Sequence, residues 1–110
     1  MAYQNPDPFQ AIADGSRRDI LMLLSKERRS INALAENFRI SRPAVSKHVK
    51  VLHEAGLVKI VSEGRERVCE LNRNGFDQLR DWLSYYDQFW KEKMNNLENL
   101  LHQRSNNKLS

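Results

Sequence analysis

Two helical patterns lie almost end to end in residues 30–56, SINALAENFRISRPAVSKHVKVLHEAG. In the first, Ser30 is a ready N-cap, and Ile31, Leu34, Ala35 and Phe38 recur at i, i+3, i+4 and i+7. In the second, Ser41 is the cap and Pro43 falls in the first turn, where its missing N–H does no harm. Val45, Val49 and Leu52 form the apolar stripe, Ile40 is placed to staple onto Val45, and Gly56 supplies the stop. Only about three residues, Phe38 to Ile40, join the two patterns. A link that short makes the helices cross steeply, which is the helix-turn-helix arrangement.

The flanking segments have to cover this pair. Upstream, Asp7-Pro8 opens a short helix through Phe9, Ile12 and Ala13 that Asp14-Gly15 stops. Ser16 then opens a second helix, with Asp19 as its capping-box partner and Ile20, Leu21, Leu23 and Leu24 as its buried face. Downstream, VKIVSEGRERVCEL at residues 58–71 reads as a hairpin turning at Gly64-Arg65. That register sets Ile60 opposite Cys69, Val58 opposite Leu71 and Lys59 opposite Glu70. It also opposes Glu63 to Glu66, a reason to expect a wider turn. Two strands cannot stand alone and must lean on the helices before them.

From Gly75 a third pattern begins, GFDQLRDWLSYYDQFWKEKMNNLENLLHQ. Phe76, Leu79, Leu83, Tyr86, Trp90, Leu97 and Leu101 keep helical spacing, and Trp82, Phe89, Met94 and Leu100 widen the stripe. Such a helix, about 27 residues over 75–102, would span roughly 40 Å at 1.5 Å per residue. The preceding residues cannot cover it, so half of its apolar face needs a partner, most simply a second copy of the chain. The polar QRSNNKLS at residues 103–110 is expected to form a flexible tail.

The chain has 110 residues, enough for one small domain, and 18 Lys and Arg against 14 Asp and Glu. The charge is unevenly placed. Residues 28–67 hold nine basic and four acidic side chains, whereas residues 75–104 hold four basic and five acidic. A single cysteine, Cys69, excludes an internal disulfide. No run approaches the roughly 20 apolar residues of a membrane span, and MAYQNPDPF lacks the blocks of a signal peptide. A soluble cytoplasmic protein is expected, with no membrane partner.

A Ser- and Lys-rich helix face is ordinarily just solvated surface. Here Pro43, Ser46, Lys47 and Lys50 lie opposite Val45, Val49 and Leu52, on the second helix of a tight pair, with Arg65 and Arg67 near the tip of the following hairpin. The expected fold is therefore mainly α with a small β-hairpin, a winged helix-turn-helix, and the partner that suits it is double-stranded DNA. A major groove about 12 Å wide admits one helix. Arg42 is placed to donate two parallel hydrogen bonds to guanine, and Ala44 to touch a thymine methyl. Ser46 and Lys47 come next for bases or phosphates, and Lys50, Arg65 and Arg67 for the backbone or minor groove. Ser30 opens a helix whose free N–H groups suit a phosphate, and Ser41 opens the next one. His48, at the edge of the stripe, either packs on the hairpin or reaches a phosphate.

Three stretches, DPFQAIADGSRRDILMLL, LAENFRISRPAVSKHVKVLHEAGLV and EGRERVCEL, resemble the ArsR-type winged-helix repressors of bacteria over roughly residues 8–72. The most specific part is the S-x-P-x-V-S-x-H-V-x-x-L spacing from Ser41 to Leu52. The resemblance implies a winged-helix core over 8–72, with a recognition helix at 41–55 and a wing at 58–71. It also implies a homodimer joined through the first and last helices, binding an imperfect palindrome and blocking transcription. Phe9, Ile12, Leu79, Trp82, Leu83, Tyr86, Phe89, Trp90 and Leu97 would then form the dimer interface.

Many members of that family sense metals through a C-x-C pair at the start of the third helix. Ser30 and Asn32 stand there in this chain, so no thiolate pair is available. Asp87, Glu98 and His102 are a thin remnant of a second family site on the last helix. No metal, no cofactor and no catalytic residue is expected, because no phosphate-cradling glycine loop occurs and His48, His53 and His102 have no nucleophile at a telling spacing. Cys69 reads as a small buried hydrophobe beside Ile60. The alternatives are a winged-helix protein-interaction module without DNA binding, and a DNA-binding repressor released by a small organic inducer at the aromatic dimer region.

Overall fold

The structure, a computed structural model, describes residues 6–109, with side chains described through residue 104. Its chain divides after Gln78 into two compact units. The first holds four helices and a small sheet. Helix α1, Pro8–Ala11, starts at a complete capping box: Asp7 accepts from the Gln10 backbone at 2.9 Å, and the Gln10 side chain accepts from the Asp7 backbone at 3.0 Å. Helix α2, Gly15–Lys26, starts two residues earlier than the sequence suggested. Its N-cap is Asp14, accepting from the Arg17 backbone at 3.1 Å, and not Ser16. Asp14 has the extended backbone and the carboxylate that a cap needs, so Asp-Gly begins this helix instead of merely ending the one before.

Helix α3, Ile31–Ala35, and helix α4, Arg42–Glu54, are the crossing pair, capped by Ser30 and Ser41 as expected. The link is longer than the sequence implied. α3 ends at Ala35, and Asn37 and Phe38 donate to the carbonyls three residues back, so a tight turn replaces the last helical turn. The Asn37 side chain donates to the Ala33 carbonyl at 2.9 Å, satisfying an acceptor that the shortened helix leaves open. Past the C-cap Ala55 of α4, Gly56 turns the chain away with a φ of 84°, the left-handed value that favours glycine.

Strands β2, Val58–Glu63, and β3, Glu66–Leu71, form the hairpin in the expected register, with Ile60 opposite Cys69, Val58 opposite Leu71 and Lys59 opposite Glu70. The turn is not widened. Glu63 does face Glu66, Gly64 has a φ of 60°, and Arg28 forms an ion pair with Glu63 that offsets the like charge. A third strand went unread in the sequence: β1, Arg29–Ser30, pairs antiparallel with β3, giving the order β1-β3-β2. It carries the chain from α2 into α3 across the sheet edge, so the hairpin and the crossing pair become one body.

The core of this unit is aliphatic. Ala11, Ile20, Leu24, Ile31, Leu34, Val45, Val49, Leu52, Leu57, Val58, Val68 and Cys69 are buried, with no buried charged side chain among the described residues. Each fully buried Leu, Ile or Val contributes about 1.5–3 kcal/mol. The three stripe residues of α4 are therefore what holds its polar side outward. Ile40, expected to staple onto Val45, stays 38% exposed.

A 3-10 turn at Arg73–Phe76 leads into helix α5, Asp77–Leu109. The helix thus begins two residues after Gly75 and runs past residue 102 to Leu109, through most of the segment expected to be a flexible tail. At about 1.5 Å per residue, its 33 residues span roughly 50 Å. Trp82, Leu83, Tyr86, Phe89, Trp90, Met94, Leu97, Leu100 and Leu101 are all exposed along it. Trp82 and Tyr86 meet edge to face at 4.9 Å, and Lys93 lies over the Phe89 ring at 4.8 Å.

Candidate nucleic-acid interface

The outward side of α4 is cationic because of where its apolar residues fall. With Val45, Val49 and Leu52 turned inward, Arg42, Pro43, Lys47 and Lys50 are exposed, and Ala44 and Ser46 are half-buried. The only acid in the helix is Glu54 at its end, whose carboxylate lies 4.0 Å from the Lys50 ammonium. Ser46, Lys47, Lys50 and Arg67 line one groove of about 410 Å³ between α4 and the hairpin, together with His53, the acid Glu54 and the apolar Ile31, Val49 and Ile60. Arg65 stands apart from it, exposed at the turn.

The two cap serines are already engaged. Ser30 accepts from the Ala33 backbone at 3.0 Å and Ser41 from the Ala44 backbone at 3.3 Å, so their hydroxyl oxygens serve the helices they open. His48 is neither on the hairpin nor facing open solvent. Its Nδ1 lies 3.4 Å from Arg17 Nη1 and 4.0 Å from Asp14 Oδ2. Arg17 also donates from Nε to the Ala11 carbonyl at 2.7 Å and from Nη2 to the Gln10 carbonyl at 3.3 Å. One arginine thus ties the corner between α1 and α2 to the middle of α4. The Arg17 backbone N–H is the main cause holding the Asp14 carboxyl below the usual aspartate value, with the His48 and Arg17 charges adding to it against partial desolvation.

Two more contacts bear on this surface. Arg42 Nε donates to Asn32 Oδ1 across the crossing of α3 and α4. Cys69 is buried opposite Ile60 in the hairpin, and burial pushes its thiol up to about 11 from an ordinary 9.0. Asn32 was read in the sequence only as a position without a metal-binding thiolate, and Arg17 and Arg28 went unremarked. Only Asn32 left a signal: it follows Ser30 by two residues as Arg42 follows Ser41 by one, at the N-terminal ends of helices that a short link brings together.

Of the residues assigned to a dimer interface, Trp82, Leu83, Tyr86, Phe89, Trp90 and Leu97 form the open stripe of α5, Leu79 is buried, and Phe9 and Ile12 are half-buried in the first unit. Among the described residues there is no group of three or more His, Cys, Asp or Glu that could hold a metal ion. Nor is any described helix long and apolar enough to cross a membrane.

A crossing helix pair, a three-stranded sheet that ends in a hairpin carrying Arg65 and Arg67, and a cationic second helix define a winged helix-turn-helix protein of the DNA-binding, transcription-regulating class. The model for bacterial regulatory proteins of the arsR family matches residues 14–60. The chain is 39% identical over 100 residues to the HTH-type transcriptional regulator Rv2034 of Mycobacterium tuberculosis, covering 90% of this chain and 91% of that protein. It is 32% identical over 75 residues to the transcriptional repressor SdpR of Bacillus subtilis, covering 68% of this chain and 83% of the repressor. Among solved structures, a possible transcriptional regulator for arsenical resistance superposes with a TM-score of 0.67 at 39% identity, over 77% of this chain and 85% of that one. The homodimeric winged helix-turn-helix DNA-binding domain of a Mycobacterium bovis protein shares the fold, with a TM-score of 0.60 at 23% identity over 80% of this chain and 91% of that one. This chain belongs to the ArsR family.

Proposed function

We propose that the protein is a homodimeric repressor that binds an imperfect palindrome in double-stranded DNA, with α4 of each copy in a major groove. The observation that carries this reading is the groove shared by Ser46, Lys47, Lys50 and Arg67. A duplex presents one negative charge per about 1.7 Å of axis, and such a groove offers it several cations at once. Arg42, at the first position of α4, reads guanine, and Ala44 meets a thymine methyl. Lys47 and Ser46 reach bases or the nearest phosphates, Lys50 and Arg67 neutralise phosphates, and Arg65 follows the backbone or the adjacent minor groove.

Self-association is supported by the exposed stripe of α5, where Trp82 is 50% and Trp90 62% exposed. Apolar surface of that extent is more stable covered, and a second copy offers the matching face. The homodimeric state of the M. bovis protein is in keeping with this. That SdpR is a repressor favours repression here over activation.

Gel shifts against DNA upstream of the gene, competed with random DNA, test the binding. Transcription in vitro from the shifted promoter tests its sign. Retention of the specific band under competition and loss of transcript are expected. Equal competition by random DNA would remove the sequence-specific reading, and an increase in transcript would remove repression.

A further inference from the structure

We propose that Asn32 is a positioning residue for base readout, holding the Arg42 guanidinium in the orientation in which Arg42 reads DNA. The inference rests on the reading of Arg42 given above and adds a second residue to it. Its basis is the hydrogen bond from Arg42 Nε to Asn32 Oδ1. Arginine is a planar group with five N–H donors in a fixed fork, so engaging one edge decides what the other edges face. Here Nε is taken by the amide oxygen. Among the described residues no other hydrogen bond or ion pair engages the Arg42 guanidinium, which leaves the two terminal nitrogens to present a parallel pair of donors. That pair matches the O6 and N7 acceptors of guanine.

The bond is placed by rigid parts. Asn32 is the second residue of α3 and Arg42 the first of α4. Ile31 and Leu34 on one helix and Val45 and Val49 on the other are all buried, fixing the crossing that brings the two side chains together. Asn32 is a small neutral acceptor with a short side chain. It therefore orders the arginine without neutralising it and without leaving a carboxylate in the path of the phosphates. A free arginine must give up its rotamer freedom when it docks, whereas one already held has given up much of it beforehand.

The test compares base preference, read by sequencing duplexes that the protein retains from a randomised library, for the wild-type chain, Asn32→Ala, Asn32→Asp, Arg42→Ala and the double variant Asn32→Ala/Arg42→Ala. Thermal melts check that each variant folds. Arg42→Ala is expected to erase the preference for guanine at one position of each half-site. Asn32→Ala is expected to weaken that same preference by about three- to tenfold, the range that prior ordering of one arginine supplies. Asn32→Asp keeps an acceptor for Nε, so it should restore the preference while lowering affinity for all sequences. In the double variant, loss of Asn32 should add nothing.

If Arg42→Ala leaves every base preference intact, the reading of Arg42 fails and the role of Asn32 goes with it. If Arg42→Ala erases the preference but Asn32→Ala leaves it whole, Arg42 stands as the reader and only the positioning role is overturned. An effect of Asn32→Ala that persists without Arg42 also overturns it, because it would show Asn32 acting by another route.

Discussion

The carbonyl of Gly56, at the end of α4, occupies the space that a side chain on Gly75 would need. A Cβ built on Gly75 would overlap the Gly56 oxygen and lie 2.7 Å from its carbonyl carbon and 3.3 Å from Leu57 Cα. The contact is closed from both sides. Asn72 donates its side-chain N–H to the Gly56 carbonyl at 2.8 Å and its backbone N–H to the Leu57 carbonyl at 2.9 Å, and the Gly75 N–H returns to the Asn72 carbonyl at 2.9 Å. The turn leading into α5 is therefore locked against the end of α4, and the two glycines are needed for different reasons.

Gly56 is needed for its φ of 84°, and nothing lies within 4 Å of a Cβ built there. Gly75 is needed for space. Asparagine tolerates the left-handed region, so Gly56→Asn should be mild, whereas Gly75→Asn should be severe. Gly75→Ala is expected to cost about 1–3 kcal/mol by overpacking against backbone that cannot yield. Urea unfolding of the variants checks this, and equal midpoints for Gly75→Ala and the wild type would show that the turn gives way.

Arg42 and Lys50 should separate on DNA. Arg42→Ala is expected to relax base preference and cost about 1–3 kcal/mol on the cognate site. Lys50→Ala should weaken cognate and random duplexes alike, and lower the slope of log affinity against log salt by about 0.9 for the lost phosphate contact. Titrations of both duplexes at several salt concentrations measure both effects. Identical behaviour of the two variants would show that the division of roles is wrong.

The stripe of α5 should control assembly. Leu97→Asp places a charge in the middle of it, on a helix whose Leu97 is outside the core of the first unit. Light scattering coupled to gel filtration is expected to show a dimer for the wild type and a monomer for the variant, with the first unit still folded by its strand and helix signals. A dimer that survives Leu97→Asp would place the association on another surface.

Cys69 carries a pH signature. Its folded thiol titrates at about 11 because burial disfavours the thiolate, with Arg67 opposing that, against 9.0 for an ordinary thiol. Below about pH 9 the thiol is neutral whether folded or not, and its contribution to stability is complete. Between 9 and 11 the unfolded chain loses the proton while the folded chain keeps it, so stability falls as pH rises. Urea midpoints should decline over that window, less steeply in Cys69→Ala. A thiol reagent at pH 8 should label Cys69 slowly in the native protein and quickly in urea.

Much of this was legible in the residues themselves. Ser30 and Ser41 announce two helices, Val45, Val49 and Leu52 give the buried side of the second, and alternation with Gly64 at the turn fixes the hairpin register. Local chemistry settles such features. What escaped is set by contacts between distant segments. Arg29–Ser30 is too short to show alternation and becomes a strand only because Val68 and Cys69 lie beside it. Arg28 makes the opposed Glu63 and Glu66 tolerable from 35 residues away in sequence. His48 has its partners on α2 and in the loop before it, and no spacing within α4 reveals them. Asp14 misled for a local reason, since Asp-Gly can end one helix and cap the next in the same two residues.

Hydroxyl-radical footprinting of the wild-type protein on a duplex it has selected is the most direct measurement of the central claim. A bound dimer should protect two patches on one face of the DNA, about one helical turn or 34–36 Å apart, with protection fading as salt rises. A single protected patch, or protection indifferent to sequence at every salt concentration, would contradict a paired reader built on α4.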